Sequence, residues 1–184
     1  MKIVKITYFV HGTSTDNENK ISTGWNQGEL SELGKKQSIE LKSIVREKEF
    51  DVVFCSDLRR AVDSANIVFG DRSIPIVRDE KLREANYGDL NGAPSIKVEP
   101  NVLDHLEQPF PNGESYRDVE RRIRHFLNFL LEKYPGKKVA IVAHKAPQLA
   151  LEVVLNKKTW EQAVKEDWRL KREWKPGWDY RLEG

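Results

Sequence analysis

Residues 3–17, IVKITYFVHGTSTDN, decide the fold. The stretch begins as an apolar, β-branched run through Val10. It then breaks into His11-Gly12 and a cluster of small hydroxyl and amide residues. The run predicts a strand over Lys2–Val10, apolar on both faces as a parallel sheet requires. The turn after it offers backbone N–H groups and hydroxyls, which suit an anion such as phosphate. A histidine at the C-terminal end of a strand stands where open α/β sheets hold their ligands. Taken alone, His11 reads more simply as a satisfied structural residue. A second copy of the pattern far downstream shifts that weighing: Lys138–Ala143, KVAIVA, runs directly into His144.

Working outward, strands alternate with helices. After a polar loop over Gly12–Gly28, Ser31 caps a helix with Leu33, Leu41, Ile44 and Val45 at helical spacing. Asp51–Cys55, DVVFC, predicts a second buried strand. It runs into Ser56-Asp57-Leu58-Arg59-Arg60-Ala61, a helix start capped by Ser56 or Asp57. Two arginines in a first turn oppose the helix dipole. They read either as two solvated charges or as one solvated charge and one guanidinium fork aimed at an anion. Ile74–Val77 predicts a third strand, which Pro75 keeps away from the sheet centre. Leu82–Gly92 is a loop carrying Glu84. Ala93–Asn112 holds Pro94, Pro100, Pro109 and Pro111 and predicts short turns.

Gly113-Glu114-Ser115 opens a strong helix. Val119, Ile123, Phe126, Leu127 and Leu130 line its buried face, with Arg121, Arg122, Arg124 and His125 on a solvated one. Lys138–Ala143 is the fourth strand, and Pro147 is the first residue of a helix over Gln148–Leu155. A further helix runs from Thr159 to about Leu170. The tail from Lys171 holds Trp174, Pro176-Gly177 and Trp178, then an edge strand over Asp179–Leu182. Four of the five tryptophans fall within Trp160–Trp178 and read as packing against the core. This order predicts one domain over residues 1–184, a three-layer α/β/α sandwich around a mainly parallel sheet. Residues 93–112 form a short lid insertion, and 156–184 a Trp-rich C-terminal segment.

Composition narrows the function. With 31 basic and 29 acidic residues the net charge is +2, too balanced for a general nucleic-acid binder. No apolar run approaches a membrane span. The single cysteine, Cys55, excludes an intramolecular disulfide and points to a reducing cytoplasm. A cysteine phosphatase needs arginine six positions after its cysteine, but that position is Ala61. His11 and His144 are isolated from carboxylates at metal spacing, so neither metal nor cofactor is expected.

What remains suits phosphoryl transfer through a phosphohistidine. One imidazole must be neutral, held by a hydrogen bond from one nitrogen so that the other can attack phosphorus. The second imidazole and Arg60 would stabilise charge on the phosphoryl oxygens. Glu84 would protonate the leaving alcohol and then deprotonate water.

At this point the chain resembles the histidine phosphatase superfamily, which includes cofactor-dependent phosphoglycerate mutases and small phosphatases. The pieces that carry the resemblance occur in order: FVHGTSTDN, STGWNQGELSELGKKQ, CSDLRRAVDSA, LREANYGDLNG, PNGESYRDVERRIRHFL and VAIVAHKAPQLAL. It implies a phosphoglycerate mutase-like fold and a phosphorylated His11 beside Gly12. It also implies His144 as second histidine, Arg60 on phosphate and Glu84 as acid. By the same likeness Asn17 contacts phosphate, and Thr23 and Gly24 line the substrate side.

Two departures stand out. The family's arginine before the nucleophile is Val10 here, and the glycine after the second histidine is Lys145. Their pairing suggests that Lys145 restores the lost charge beside the phosphate, imperfectly, because an ammonium is a point charge and not a fork. The mutases carry a longer insertion before the G-E-S helix, so the short one here favours hydrolysis. The expectation is a phosphomonoesterase acting on a small phosphorylated molecule. Two alternatives stay open: a catalytically silent phosphate or phosphoprotein binder, and a mutase-type transferase.

Overall fold

The strand predicted from the opening stretch is β1, Ile3–Val10. Val4, Ile6 and Tyr8 enter one core and Phe9 enters the other, so the strand is covered on both faces. The computed structural model describes residues 2–171 and 177–184; Trp174 and Pro176 lie outside them. The remaining main strands are β3 (Val52–Cys55), β4 (Ile76–Arg78), β6 (Lys138–Ala143) and β7 (Trp178–Glu183), in the order β4-β3-β6-β1-β7. All pairs are parallel except β1 with β7. A small separate ladder joins β2 (Ile21–Ser22) to β5 (Ala93–Pro94).

Both edges carry the expected marks. Pro75 immediately precedes edge strand β4 and gives its carbonyl to Val53 N at 2.9 Å, a role that needs no proline N–H. On edge strand β7, Trp178, Tyr180 and Leu182 are buried while Asp179, Arg181 and Glu183 face out. Charges along a free edge discourage pairing with another chain.

Helices cover both faces. On one side α2 (Glu32–Ile44) and α3 (Arg59–Phe69) bring Leu41, Val62, Ala65, Val68 and Phe69 onto Phe9, Val53, Cys55 and Val142. On the other, α4 (Tyr116–Lys133) and α5 (Lys145–Val154) bring Ile123, Phe126, Leu149 and Leu151 onto Ile6, Tyr8, Val139 and Ile141. This is the three-layer sandwich expected. Ser31 caps α2 as the sequence predicted, and at the expected opening of α4 Ser115 caps it in a capping box with Asp118. The short helices are α1 (Thr15–Glu18) and α6 (Trp160–Lys165). Among the described residues no helix is long and apolar enough to cross a membrane.

Four local expectations need correction. The N-cap of α3 is Leu58 and has no side-chain cap. Ser56 Oγ accepts only the Leu58 N–H (3.2 Å), and Asp57 is drawn away to Arg83 (2.8 and 2.5 Å). Helix α5 begins at Lys145, so Pro147 is its third residue; a missing N–H is harmless anywhere in that first turn. The helix expected up to Leu170 ends at Lys165, and Trp168–Lys171 form a separate 3-10 turn. Arg122 is not solvated: its side chain is only 14% exposed and is tied into the loop that carries Glu84.

The segment 93–112 contains short 3-10 turns as expected, yet it is anchored. Val98, Val102 and Phe110 are buried in the main core. The polar loop after β1 is held just as closely. A Cβ on Gly34 would fall 2.0 Å from Thr13 O, and one on Gly12 would fall 2.3 Å from Gly34 O. The first turn of α2 therefore sits directly against the backbone that follows His11.

Candidate active site

Register brings the two histidines together. β1 and β6 are adjacent and parallel, with Val10 opposite Ala143. The next residue on each strand is His11 and His144, and the ladder continues one bond further, from His11 N to Ala143 O at 3.0 Å. The two rings meet edge to face with centroids 5.0 Å apart, close to the spacing of neighbouring strands.

The tautomer of His11 follows from its partners. Nδ1 lies 2.6 Å from the Gly12 carbonyl, which can only accept, so Nδ1 carries the hydrogen. Nε2 lies 3.3 Å from Arg60 Nε, which can only donate, so Nε2 presents a lone pair. Burial, reinforced by the Arg60 charge, lowers His11 to about 3, against the opposing pull of the Gly12 carbonyl. The ring is therefore neutral at ordinary pH, with its nucleophilic nitrogen facing a guanidinium.

Arg60 is the arginine of the pair that turns inward. It is 2% exposed, the second residue of α3, just beyond the C-terminal end of β3. Its Nη1 donates to Asn26 O (3.0 Å) and its Nη2 to Gly24 O (2.8 Å). Neither these partners nor His11 is a carboxylate. A buried cation held by neutral groups alone is arranged for an anion. Arg59 faces solvent and pairs with Glu29 and, at 3.6 Å, Asp63.

His144 is wholly buried, and neither ring nitrogen has a hydrogen-bond partner among the described residues. Burial first, then the charge of Arg60, pushes it well below its usual value. Tyr8 fixes its backbone, donating to His144 O at 2.6 Å and accepting from His144 N at 2.9 Å. The backbone of His144 is thus fixed from below, while its buried ring nitrogens are left without a partner among the described residues.

Glu84 meets the same ends of the sheet from the loop after β4. Its Oε1 accepts the Ala85 and Ala146 N–H groups, each at 2.9 Å, and its Oε2 accepts Lys145 N at 3.2 Å. It thereby caps α5, whose N-cap residue, His144, supplies no side-chain cap. The Glu84 carbonyl is held in turn by Trp25 Nε1 (2.7 Å) and Arg122 Nη2 (2.9 Å).

The remaining candidates are dispersed around this group. Gly12 N donates to Ser64 Oγ of α3 at 3.0 Å. Asn17 Oδ1 accepts Ser14 N (3.0 Å) in the capping box of α1. Thr23 is buried, and Gly24, at φ +55°, supplies the carbonyl that holds Arg60. Lys145 extends toward the segment 93–112, where its ammonium pairs with Glu99 and lies 3.8 Å from Asp167. Cys55 is buried, which raises its thiol to about 11, so it is no nucleophile at neutral pH.

Tyr8, Arg122 and Trp25 are supporting residues that sequence reasoning did not assign. Tyr8 had one legible signal, a hydroxyl at an inward position of a doubly covered strand, which needs a buried partner. The basic cluster of α4 hid Arg122, because only tertiary packing distinguishes it from Arg121 and Arg124.

The two depressed histidines set a pH response. Unfolded histidines take up protons near pH 6.5, whereas in the folded protein His11 stays neutral down to about pH 3 and burial holds His144 neutral well below its usual value. Between those limits the unfolded chain binds more protons, so stability falls as pH falls. Each histidine contributes about 1.4 kcal/mol per pH unit. Denaturant midpoints measured from pH 6.5 to 5 should drop steeply, and His144→Gln should remove about half of that slope. An unchanged slope in the variant would count against a neutral, buried His144.

Known proteins resemble the chain over most of its length. The model of the histidine phosphatase superfamily (branch 1) matches residues 8–174. The chain is 33% identical over 173 residues to a 2,3-bisphosphoglycerate-dependent phosphoglycerate mutase of Allorhizobium ampelinum, covering 84% of this chain and 80% of that protein. It is 30% identical over 141 residues to the Bacillus subtilis protein named uncharacterized phosphatase PhoE, covering 77% and 72%. The solved structure of Bacillus stearothermophilus YhfR superposes with a TM-score of 0.76 at 27% identity, over 87% of this chain and 83% of that one.

Proposed function

Because the chain belongs to the histidine phosphatase superfamily, we propose that it is a phosphomonoesterase working through a phosphohistidine on His11. The observation that carries the proposal is the lone-pair nitrogen of a neutral His11 facing the buried Arg60, which hydrogen-bonds no carboxylate among the described residues, with the ring of His144, unpartnered among them, beside it. Phosphate supplies what those groups lack, an anion with several acceptor oxygens.

In the first step the His11 Nε2 lone pair attacks phosphorus and the P–O bond to the alcohol breaks. The alkoxide leaves with a proton from Glu84. In the second step water attacks phosphorus, Glu84 takes its proton, the P–N bond breaks, and inorganic phosphate leaves a neutral His11. Arg60 and His144 hold the equatorial oxygens throughout. Of the two Glu84 oxygens, Oε2 has the single and longer bond, and it is the one that exchanges the proton.

Hydrolysis is favoured over transfer back to substrate by the short segment 93–112. It packs Val98, Val102 and Phe110 into the core and is tethered through Glu99 to Lys145. That arrangement suits a small cytoplasmic phosphate ester as substrate and leaves water a route to the phosphohistidine. The test is release of inorganic phosphate from a panel of small phosphomonoesters without added metal, run beside conversion of 3-phosphoglycerate to 2-phosphoglycerate. Release well above isomerisation is expected. Isomerisation exceeding release would make the chain a mutase, and no turnover with retained phosphate binding would make it a binding module.

A further inference from the structure

Four buried side-chain nitrogens lack a hydrogen-bond partner among the described residues, and three side chains own them: His144, Trp168 and Arg169. Two of the four are the ring nitrogens of His144 already placed in the site. The others, Trp168 Nε1 and Arg169 Nη2, come from the 3-10 turn near the C-terminus. An unpaired buried donor is costly enough that native proteins rarely keep one without a use for it.

Several contacts locate this turn beside the histidines. Trp168 lines a cavity of about 110 Å³ together with Val10, His11, Gly12 and Thr13. The Arg169 guanidinium stacks on the Trp168 ring at 4.7 Å. Its Nη1 donates to Gln148 Oε1 (3.3 Å), one turn along α5 from His144, and to Asp167 Oδ1 (2.8 Å). Val10 and Trp168 each pack against the core that Tyr8 enters. The Arg169 charge reaches that face too: it adds to the lowering of His11 by burial and Arg60, and partly offsets the rise that burial imposes on Tyr8.

Resting on the phosphate-handling function proposed above, we propose that Arg169 is a phosphate-binding residue of this site. Its Nη2 would take the phosphoryl oxygen that the apolar side chain of Val10 cannot hold. One ion pair, to Asp167, fixes half of the fork and leaves the other half to the ligand. Lys145 is less well placed for the same task, because its single ammonium is turned to Glu99 with Asp167 also near.

The experiment measures inhibition and direct binding by inorganic phosphate, with ester hydrolysis alongside. Arg169→Ala should weaken phosphate roughly ten- to a hundredfold, the scale of one charged hydrogen bond. Adding Val10→Arg to that variant should recover most of the loss, which a merely structural arginine would not allow. Arg169→Gln, which keeps a polar partner for Gln148, serves if the alanine variant is unstable. Lys145→Ala should weaken phosphate less than either. Phosphate binding within twofold of wild type in both Arg169 variants overturns the assignment, while wild-type hydrolysis then leaves the phosphatase standing. Wild-type binding without hydrolysis overturns the phosphatase, and Arg169 is still judged on binding. If wild type neither binds nor hydrolyses, both fall.

Discussion

His11→Ala is expected to lower phosphate release by about 10⁴-fold or more, the scale on which loss of a nucleophile is felt. The substitution removes the Nε2 lone pair that faces Arg60 and leaves the guanidinium with its two carbonyl partners. The site should still bind inorganic phosphate, because Arg60 and His144 remain. Rapid acid-free quenching of the wild type with a labelled ester should trap an acid-labile phosphoprotein, absent from the variant. Because His11 is held neutral down to about pH 3, its protonation should give no acid limb in kcat/KM between pH 5 and 8. An unaffected rate in His11→Ala, or an adduct that persists in it, would place the covalent step on another residue.

The strands, the sheet edges and most of the caps were legible because they depend on local pattern. Apolar runs marked β1 and β6, Pro75 marked an edge, and Ser31 and Ser115 marked helix starts. His11 and His144 were legible as strand-end residues, though only the register explains why residues so far apart in sequence share a pocket. The errors arose where a distant group does a local job. Helix α5 starts earlier than its local pattern indicates because its cap is the carboxylate of Glu84, which comes from another loop. Asp57 does not cap α3 because Arg83 recruits its carboxylate. The Trp-rich segment read as core packing, and Trp168 does pack there, but no spacing rule relates Arg169 to a strand that ends at Val10.

The second large effect belongs to Glu84, whose two jobs separate by leaving group. Glu84→Gln should lower kcat/KM for alkyl phosphates by roughly 10²- to 10⁴-fold, the range for loss of a general acid. For p-nitrophenyl phosphate the loss should stay below about tenfold, since a phenolate that stable needs little help to depart. The amide can still accept the Ala85 and Ala146 N–H groups that the carboxylate takes now, so the start of α5 is largely preserved. Its NH₂ would meet Lys145 N, a donor facing a donor, and that is the structural cost. Attack of water on the phosphohistidine follows the first irreversible step, so it is invisible to kcat/KM but not to kcat. With the aryl ester, the variant should therefore show a burst of one nitrophenolate per site, then a slow steady state with the phosphoenzyme accumulated. Equal losses of kcat/KM on alkyl and aryl esters, without a burst, would mean that Glu84 only holds the end of α5. The proton would then have to come from another group or from solvent.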